Sequence, residues 1–290
     1  MKITERKYLV LLSSFVSFGP VRIGLLYDYF GSYGKIWRAG KKDLIETGLK
    51  GKQVFDFIHF RDNLDIRCYF NNLKRLSISY LVVSDAGYPV NLKEVEGAPS
   101  VLYIKGEIKK GDERAVAIVG TRRMTTYGRE VTEKFVKDLS ASGITIVSGL
   151  ARGIDTCAHK AALMEGGRTL AVVASGLDIT YPPENASLAD EIIKEGGAVI
   201  SEYPLGYPPN AQNFPARNRI ISGLSKAVLV VEGAKRSGTL LTASAAAEQG
   251  RNVFAVPGPV TSPMSEAPLF LIQNGAKIAS SAKDILDDIN

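Results

Sequence analysis

Cysteine is scarce in this chain of 290 residues. Cys68 and Cys157 are too few for a disulfide framework and fit a reducing cytosol. No apolar run reaches the roughly 18 residues needed to cross a bilayer as a helix. Histidine is limited to His59 and His159, and no metal-ligand cluster or Ser/His/Asp set can be assembled from the spacing. Internal repeats and low-complexity tracts are absent. The apolar fraction of 45% and charged fraction of 23% are those of an ordinary globular protein, which excludes disorder and collagen-like repeats. One stretch imitates a signal peptide, with Lys2, Arg6 and Lys7 ahead of an apolar-leaning Tyr8 to Phe18. Glu5 within the basic segment, the lack of a small-x-small cleavage site and the following Gly19-Pro20 favour a first buried helix instead.

What is present is unevenly spread. Residues 1–80 carry 14 Lys+Arg against 7 Asp+Glu, whereas residues 81–290 carry 22 against 23. The net charge of +6 therefore belongs to the N-terminal part. In the balanced remainder the basic side chains cluster in predicted loops: Arg122-Arg123, Arg152, Arg217 with Arg219, and Lys235-Arg236. Clustering of this kind, rather than net charge, attracts anionic ligands.

Residues 1–77 read as a basic helical domain. Apolar residues recur at helical spacing (Leu9, Leu12, Val16, then Val21, Leu25, Leu26, Tyr29, Phe30), punctuated by glycines. The pieces around Phe18-Gly19-Pro20 and Phe30-Gly31-Ser32 resemble helix-hairpin-helix units. Such a bundle either touches nucleic-acid backbone or serves as a docking or spacer domain. From residue 78 strands and helices alternate. Strands are predicted at 78–83, 101–105, 116–119, 144–147, 169–173, 198–200, 228–231 and 253–256, and helices at 127–140, 153–164, 186–194 and 240–249. This predicts an α/β fold over residues 78–290, a Rossmann-like, mostly parallel sheet covered on both faces. Ligands are then expected at the carboxyl ends of the strands, in the loops after Val119, Val147, Val173, Ile200 and Val231.

Four of those loops carry recognisable chemistry. Gly120-Thr121-Arg122-Arg123 opens a helix, but arginine stands where a dinucleotide fingerprint has its second glycine. Arg122 either pairs with a nearby carboxylate or offers its planar fork to a phosphate or base. Ser148 to Asp155 supplies small residues for close backbone approach. Cys157 and His159, two apart on a helix, do not face each other, so a packed thiol and a structural histidine are the better readings. In the stretch Phe214 to Ser225, read as a loop, the Phe214 ring sits beside the guanidinium groups of Arg217 and Arg219 and the Asn218 amide. That combination suits single-stranded nucleic acid, or else ties loops together at a helix start. Ser237-Gly238-Thr239 is an anion nest without the Gly-Lys-Ser/Thr ending of a nucleotide-hydrolysing P-loop. Phosphate-holding loops without evident chemistry favour a binding protein over an enzyme.

These loops, in this order, resemble the DprA/Smf family of bacterial DNA-processing proteins. The matching stretches are Val119 to Arg122, Ser148 to Asp155 with His159, Gly176 to Asp178 through Tyr181-Pro182, Ser201 to Pro204, Phe214 to Arg219 through Ser225, Ser237 to Thr242, and Gly250 to Gly258. The resemblance implies a cytoplasmic homodimer that binds single-stranded DNA, protects it and helps load RecA recombinase, as in natural transformation. It implies no cofactor, metal or catalytic residue. Carried over by position, Arg122 would grip phosphate with help from Gly120, Thr121 and Thr125. Arg217, Asn218 and Arg219 would form the opposite wall, and Ser237, Gly238, Thr239 and Thr242 the nest. Arg123, Arg152 and Phe214 complete the expected contacts. Leu271, Ile272 and Ile278 fall in the stretch that resembles the dimer-contact region.

The chain also departs from the family. Pro183 and Ala211 stand where some members carry lysines, which should remove about two counterions' worth of salt dependence. Leu269 replaces a frequent asparagine, and the chain stops at Asn290, where many members append a winged-helix domain. The alternative is a nucleoside-monophosphate phosphoribohydrolase on a related Rossmann-like scaffold. That family's Pro-Gly-Gly-x-Gly-Thr-x-x-Glu motif is missing, with Thr242 where its glutamate would stand.

Overall fold

Helical spacing in the first part of the chain yields helices, beginning with α1 (Glu5–Ser14). Thr4 caps it by accepting from the Lys7 N–H, and Leu9 to Leu12 are buried, so the stretch that imitates a signal peptide is a core helix. Proline suits the first helical position, where its missing N–H has no partner to lose, and Pro20 starts α2 (Pro20–Phe30) behind Gly19. Gly31, at φ 68°, ends it in the left-handed region that glycine tolerates. α3 (Tyr33–Arg38), α4 (Lys41–Glu46), α5 (Gly51–Asn63) and α6 (Ile66–Arg75) follow. Phe15, Phe18, Trp37, Phe57 and Phe60 meet at ring-centroid distances of 4.8 to 6.4 Å and fill the middle of this bundle. The structure, a computed structural model, describes residues 3–235 and 237–289; Lys2 and Arg236, named above, lie outside the described residues.

The alternating part begins with β1 (Ile78–Val82), α7 (Val90–Lys93) and β2 (Val101–Gly106). β3 (Ala115–Val119), α8 (Thr126–Ala141), β4 (Thr145–Ser148), α9 (Ile154–Met164) and β5 (Thr169–Val172) come next. They lead to α10 (Ala186–Lys194), β6 (Ala198–Ser201), α11 (Asn213–Gly223), β7 (Ala227–Val230) and α12 (Thr239–Glu248). β8 (Asn252–Ala255), α13 (Glu266–Gln273), β9 (Lys277–Ile278) and α14 (Ala282–Ile289) complete the chain. Each predicted strand and helix lies within one residue of its observed ends. α7, α13 and α14 were not among the predicted elements, and two further features differ from expectation. The Phe214 to Arg219 segment is not a loop but the first half of α11, with Pro215 in its first turn, where proline costs no hydrogen bond. β9 was not expected, because two exposed residues carry no pattern.

Among the described residues the strands form one sheet in the order β1-β2-β6-β5-β4-β3-β7-β8-β9. β1–β2 and β2–β6 pair antiparallel and every other pair is parallel. Strands buried on both faces read as continuous apolar runs, and β3, β4, β5 and β7 are buried along their whole length. Side chains of α7, α11 and α12 cover one face and those of α8, α9 and α14 the other. The chain runs outward from β3 to β6, then crosses back to β7, so the strand order reverses between β3 and β7. The helical bundle is not tethered loosely to this sheet. Leu9, Phe57 and Leu73 share one core with Val101, Tyr103, Ile192 and Val199, and the Tyr69 and Tyr103 hydroxyls hydrogen-bond at 2.8 Å.

Candidate nucleic-acid interface

A cleft of about 530 Å³ opens at the reversal point, over the carboxyl ends of β3 and β7. Parallel strands followed by right-handed crossovers put loops on both sides of such a point and leave a crevice between them. Gly120, Thr121, Arg122 and Arg123 line one side, and Ser237, Gly238, Thr239 and Thr242 the other. Phe214, Arg217 and Asn218 project from α11, together with Ile221. The turn after β3 is fixed by its backbone: Thr121 N–H donates to the Glu232 carbonyl at 2.8 Å, and Ile154 N–H to the Thr121 carbonyl at 3.2 Å. Gly153, at φ 75°, packs so closely on Thr121 and Arg122 that a Cβ would strike the backbone.

The arginines have sorted into distinct roles. Arg122 is exposed and has no carboxylate partner among the described residues; its guanidinium lies 5.1 Å from the centre of the Phe214 ring. Arg217 is 4% exposed and donates through Nη1 to the carbonyls of Gly149 (2.5 Å) and Val172 (2.6 Å), with the same ring 5.6 Å away. It braces the cleft floor more than it offers a free fork. Burial pushes the nearby Asp155 carboxyl up and the Arg217 guanidinium down, and each opposes the other's shift.

Three expected contacts are not in the cleft. Arg219 leaves α11 on another side and makes a two-oxygen ion pair with Glu202 at 2.6 Å, so the wall of Arg217, Asn218 and Arg219 is corrected to its first two members. Residues two apart on a helix point in nearly opposite directions, and the correction follows from α11 being a helix. Arg219 lines a separate cleft against the bundle, with Phe18, Pro20 and Ile23. Burial raises the Glu202 carboxyl, and Arg219 holds it down. Thr125 caps α8, accepting from Gly128 N–H at 3.1 Å and donating to Glu232 at 2.5 Å, so it shapes the turn from behind. Arg152 lines a small adjoining side pocket with Arg122, Tyr181, Pro182 and Phe214, and it is ion-paired with Glu184.

In the nest, the Ser237 hydroxyl accepts from Thr239 N–H at 3.2 Å, and Asn218 Nδ2 donates to the Gly238 carbonyl at 3.4 Å. Cys157 and His159 are both buried, as read from the sequence; burial pushes the thiol up to about 11 and the imidazole down to about 3. The carboxylates that partner the arginines were not assigned from sequence, since nothing in one chain's spacing matches acids to bases across strands. Leu271 and Ile272 are half-buried on α13, beside a groove that Leu271 lines with Phe270, and Ile278 is exposed on β9.

A doubly wound sheet whose reversal point holds a basic, aromatic-edged cleft defines a Rossmann-like protein. Residues 79–290 match the model of the DNA recombination-mediator protein A family, and the chain belongs to that family. It is 43% identical over 249 residues to Protein Smf of Escherichia coli, covering 85% of this chain and 66% of that protein. Against the DNA processing protein DprA of Streptococcus pneumoniae it is 44% identical over 269 residues, covering 84% and 95%. The X-ray structure of the S. pneumoniae protein superimposes with a TM-score of 0.82 at 36% identity, covering 100% of this chain and 99% of that one. DNA processing protein A from Helicobacter pylori, described for its single-stranded DNA binding mode, matches at a TM-score of 0.66 and 28% identity, covering 74% and 98%.

Proposed function

We propose that this protein binds single-stranded DNA in the cleft between the β3 and β7 loops and serves as a recombination mediator. It shields the strand and helps load it with RecA recombinase. The observation that carries the reading is the pairing of Arg122 with Phe214. An exposed guanidinium, without an acidic partner among the described residues, stands against an aromatic ring, above a nest of amides and hydroxyls. Phosphate and base of one nucleotide call for those two groups side by side: the guanidinium for charge, the ring for sequence-tolerant stacking. Duplex DNA keeps its bases inside and offers the ring nothing. The relation to the H. pylori single-strand binder and to the Smf and DprA proteins supports the same reading.

The role is binding, not bond-breaking. Asp155, the carboxylate lining the cleft among the described residues, is occupied by the Gly149 N–H and lies beside Arg217. Assembly as a homodimer through the α13 and β9 side, in the cytoplasm, belongs to the same proposal, supported by the exposed Phe270 and Ile278.

The test is fluorescence anisotropy of a labelled single-stranded oligonucleotide with wild type and Arg122→Ala at two salt concentrations, unlabelled duplex competing. Salt-sensitive binding that prefers the single strand and collapses in the variant is expected. Failure to bind at low salt overturns the reading. Binding indifferent to the substitution moves the site to the basic helices.

A further inference from the structure

Two exposed guanidinium groups border the side pocket beside Phe214, and they differ in one respect. Among the described residues Arg122 has no acidic partner, whereas Arg152 Nε donates to Glu184. The pair is solvent-exposed, with Arg152 58% and Glu184 50% accessible. Glu184 is not there by a chance side-chain swing. It sits in the one-turn helix Pro183–Asn185, and the buried Asn185 amide donates to the Leu150 carbonyl and the Thr156 hydroxyl, both at 2.8 Å. Leu150 and Thr156 flank Arg152 in sequence, so the turn carrying the carboxylate is pinned to the loop carrying the guanidinium.

We propose that Glu184 is an intramolecular stand-in for a DNA phosphate: it occupies Arg152 in the free protein and is displaced when a strand extends from the Arg122 cleft across the side pocket. The inference rests on the single-strand reading above and adds to it a residue that sets affinity and salt dependence. An exposed ion pair is worth little, which lets a phosphate compete for the arginine. The exchange has a definite electrostatic signature. A phosphate arriving at Arg152 sheds its condensed cation, but it also frees the Glu184 carboxylate beside the strand, whose charge holds a cation in its place. Arg152 then contributes almost nothing to the salt slope of the wild type.

The experiment is a set of anisotropy titrations across salt concentrations, with a short oligonucleotide confined to the cleft and a longer one that reaches past it. The proteins are wild type, Glu184→Gln, Arg152→Gln, the double variant, Arg122→Ala, and Glu165→Gln as a charge control at the far end of α9, about 16 Å away along the helix. On the longer strand Glu184→Gln is expected to bind about threefold to fivefold tighter, with a salt slope steeper by about 0.7, the value for one added phosphate contact on a single strand. The gain should vanish in the double variant and on the short strand. A gain matched by Glu165→Gln, or one that survives in the double variant, overturns the role of Glu184 as a stand-in and reduces it to a field effect. No gain, while Arg122→Ala still abolishes binding, overturns this inference alone. Binding indifferent to Arg122→Ala overturns the site reading itself.

Discussion

Asp155 and Arg217 are bridged by the backbone of a single residue. Gly149 N–H donates to Asp155 Oδ2 at 3.1 Å, and the Gly149 carbonyl accepts from Arg217 Nη1 at 2.5 Å. A Cβ at Gly149 would overlap both side chains, so glycine is required for both charges to reach one peptide. Losing Arg217 takes the donor away from the Gly149 and Val172 carbonyls, and a buried acceptor left unsatisfied costs about 1–3 kcal/mol. Arg217→Met should therefore lower stability by about that much, read as a shifted urea midpoint with unchanged slope. A loss below about 1 kcal/mol would mean that the guanidinium is not holding the floor of the cleft.

Arg122 and Phe214 are expected to fail differently. Arg122→Ala should weaken single-strand binding tenfold or more and flatten the salt slope by about 0.7, because a phosphate contact is lost. Phe214→Ala should cost about 1–3 kcal/mol of binding, the worth of one stacked base, and leave the slope unaltered. Equal slopes for both variants would contradict the division of labour.

Arg219→Ala tests the correction to the site. With its partner gone, the half-buried Glu202 carboxylate is stranded, so the melting temperature should fall. Strand affinity, measured well below that temperature, should stay within about twofold of wild type. A large affinity loss in the folded variant would put Arg219 back at the nucleic acid.

His159 makes stability pH-dependent. The Thr169 hydroxyl donates to the Ile146 carbonyl, so His159 Nδ1 must donate to Thr169, leaving a buried Nε2 without a partner among the described residues. Burial holds the folded-state pKa near 3, below the unfolded value of about 6.5. Between those values the unfolded chain binds more protons. The stability contributed is therefore complete above pH 6.5 and is lost as pH falls toward 3, by about 2 kcal/mol at pH 5. Denaturation profiles at pH 7 and pH 5 should differ by that amount in the wild type and much less in His159→Gln.

The strands were legible because a sheet buried on both faces imposes long runs of Val, Ile and Ala such as Val116 to Val119, and the crossover lengths then dictate parallel pairing. The Gly120 and Ser237 loops were legible for a related reason, since small and hydroxyl residues between a strand and a helix have few other uses. Residues 213–219 misled because Pro215 and two asparagines look like a loop, although proline is tolerated in a first helical turn. Reading a loop placed Arg217 and Arg219 together; the helix sends them apart. The partners Glu184, Glu202 and Asp155 were hidden, because each meets its arginine only once the strand order is set.

The continuity of the core between Phe57 and Val199 bears on how the protein melts. A helical bundle joined by a linker would unfold as its own transition, ahead of or behind the sheet. Here Val101 and Tyr103 belong to the same apolar cluster as Leu9, and losing either side uncovers the other. Calorimetric and van't Hoff enthalpies for the whole chain should therefore coincide, the thermal signature of one cooperative body.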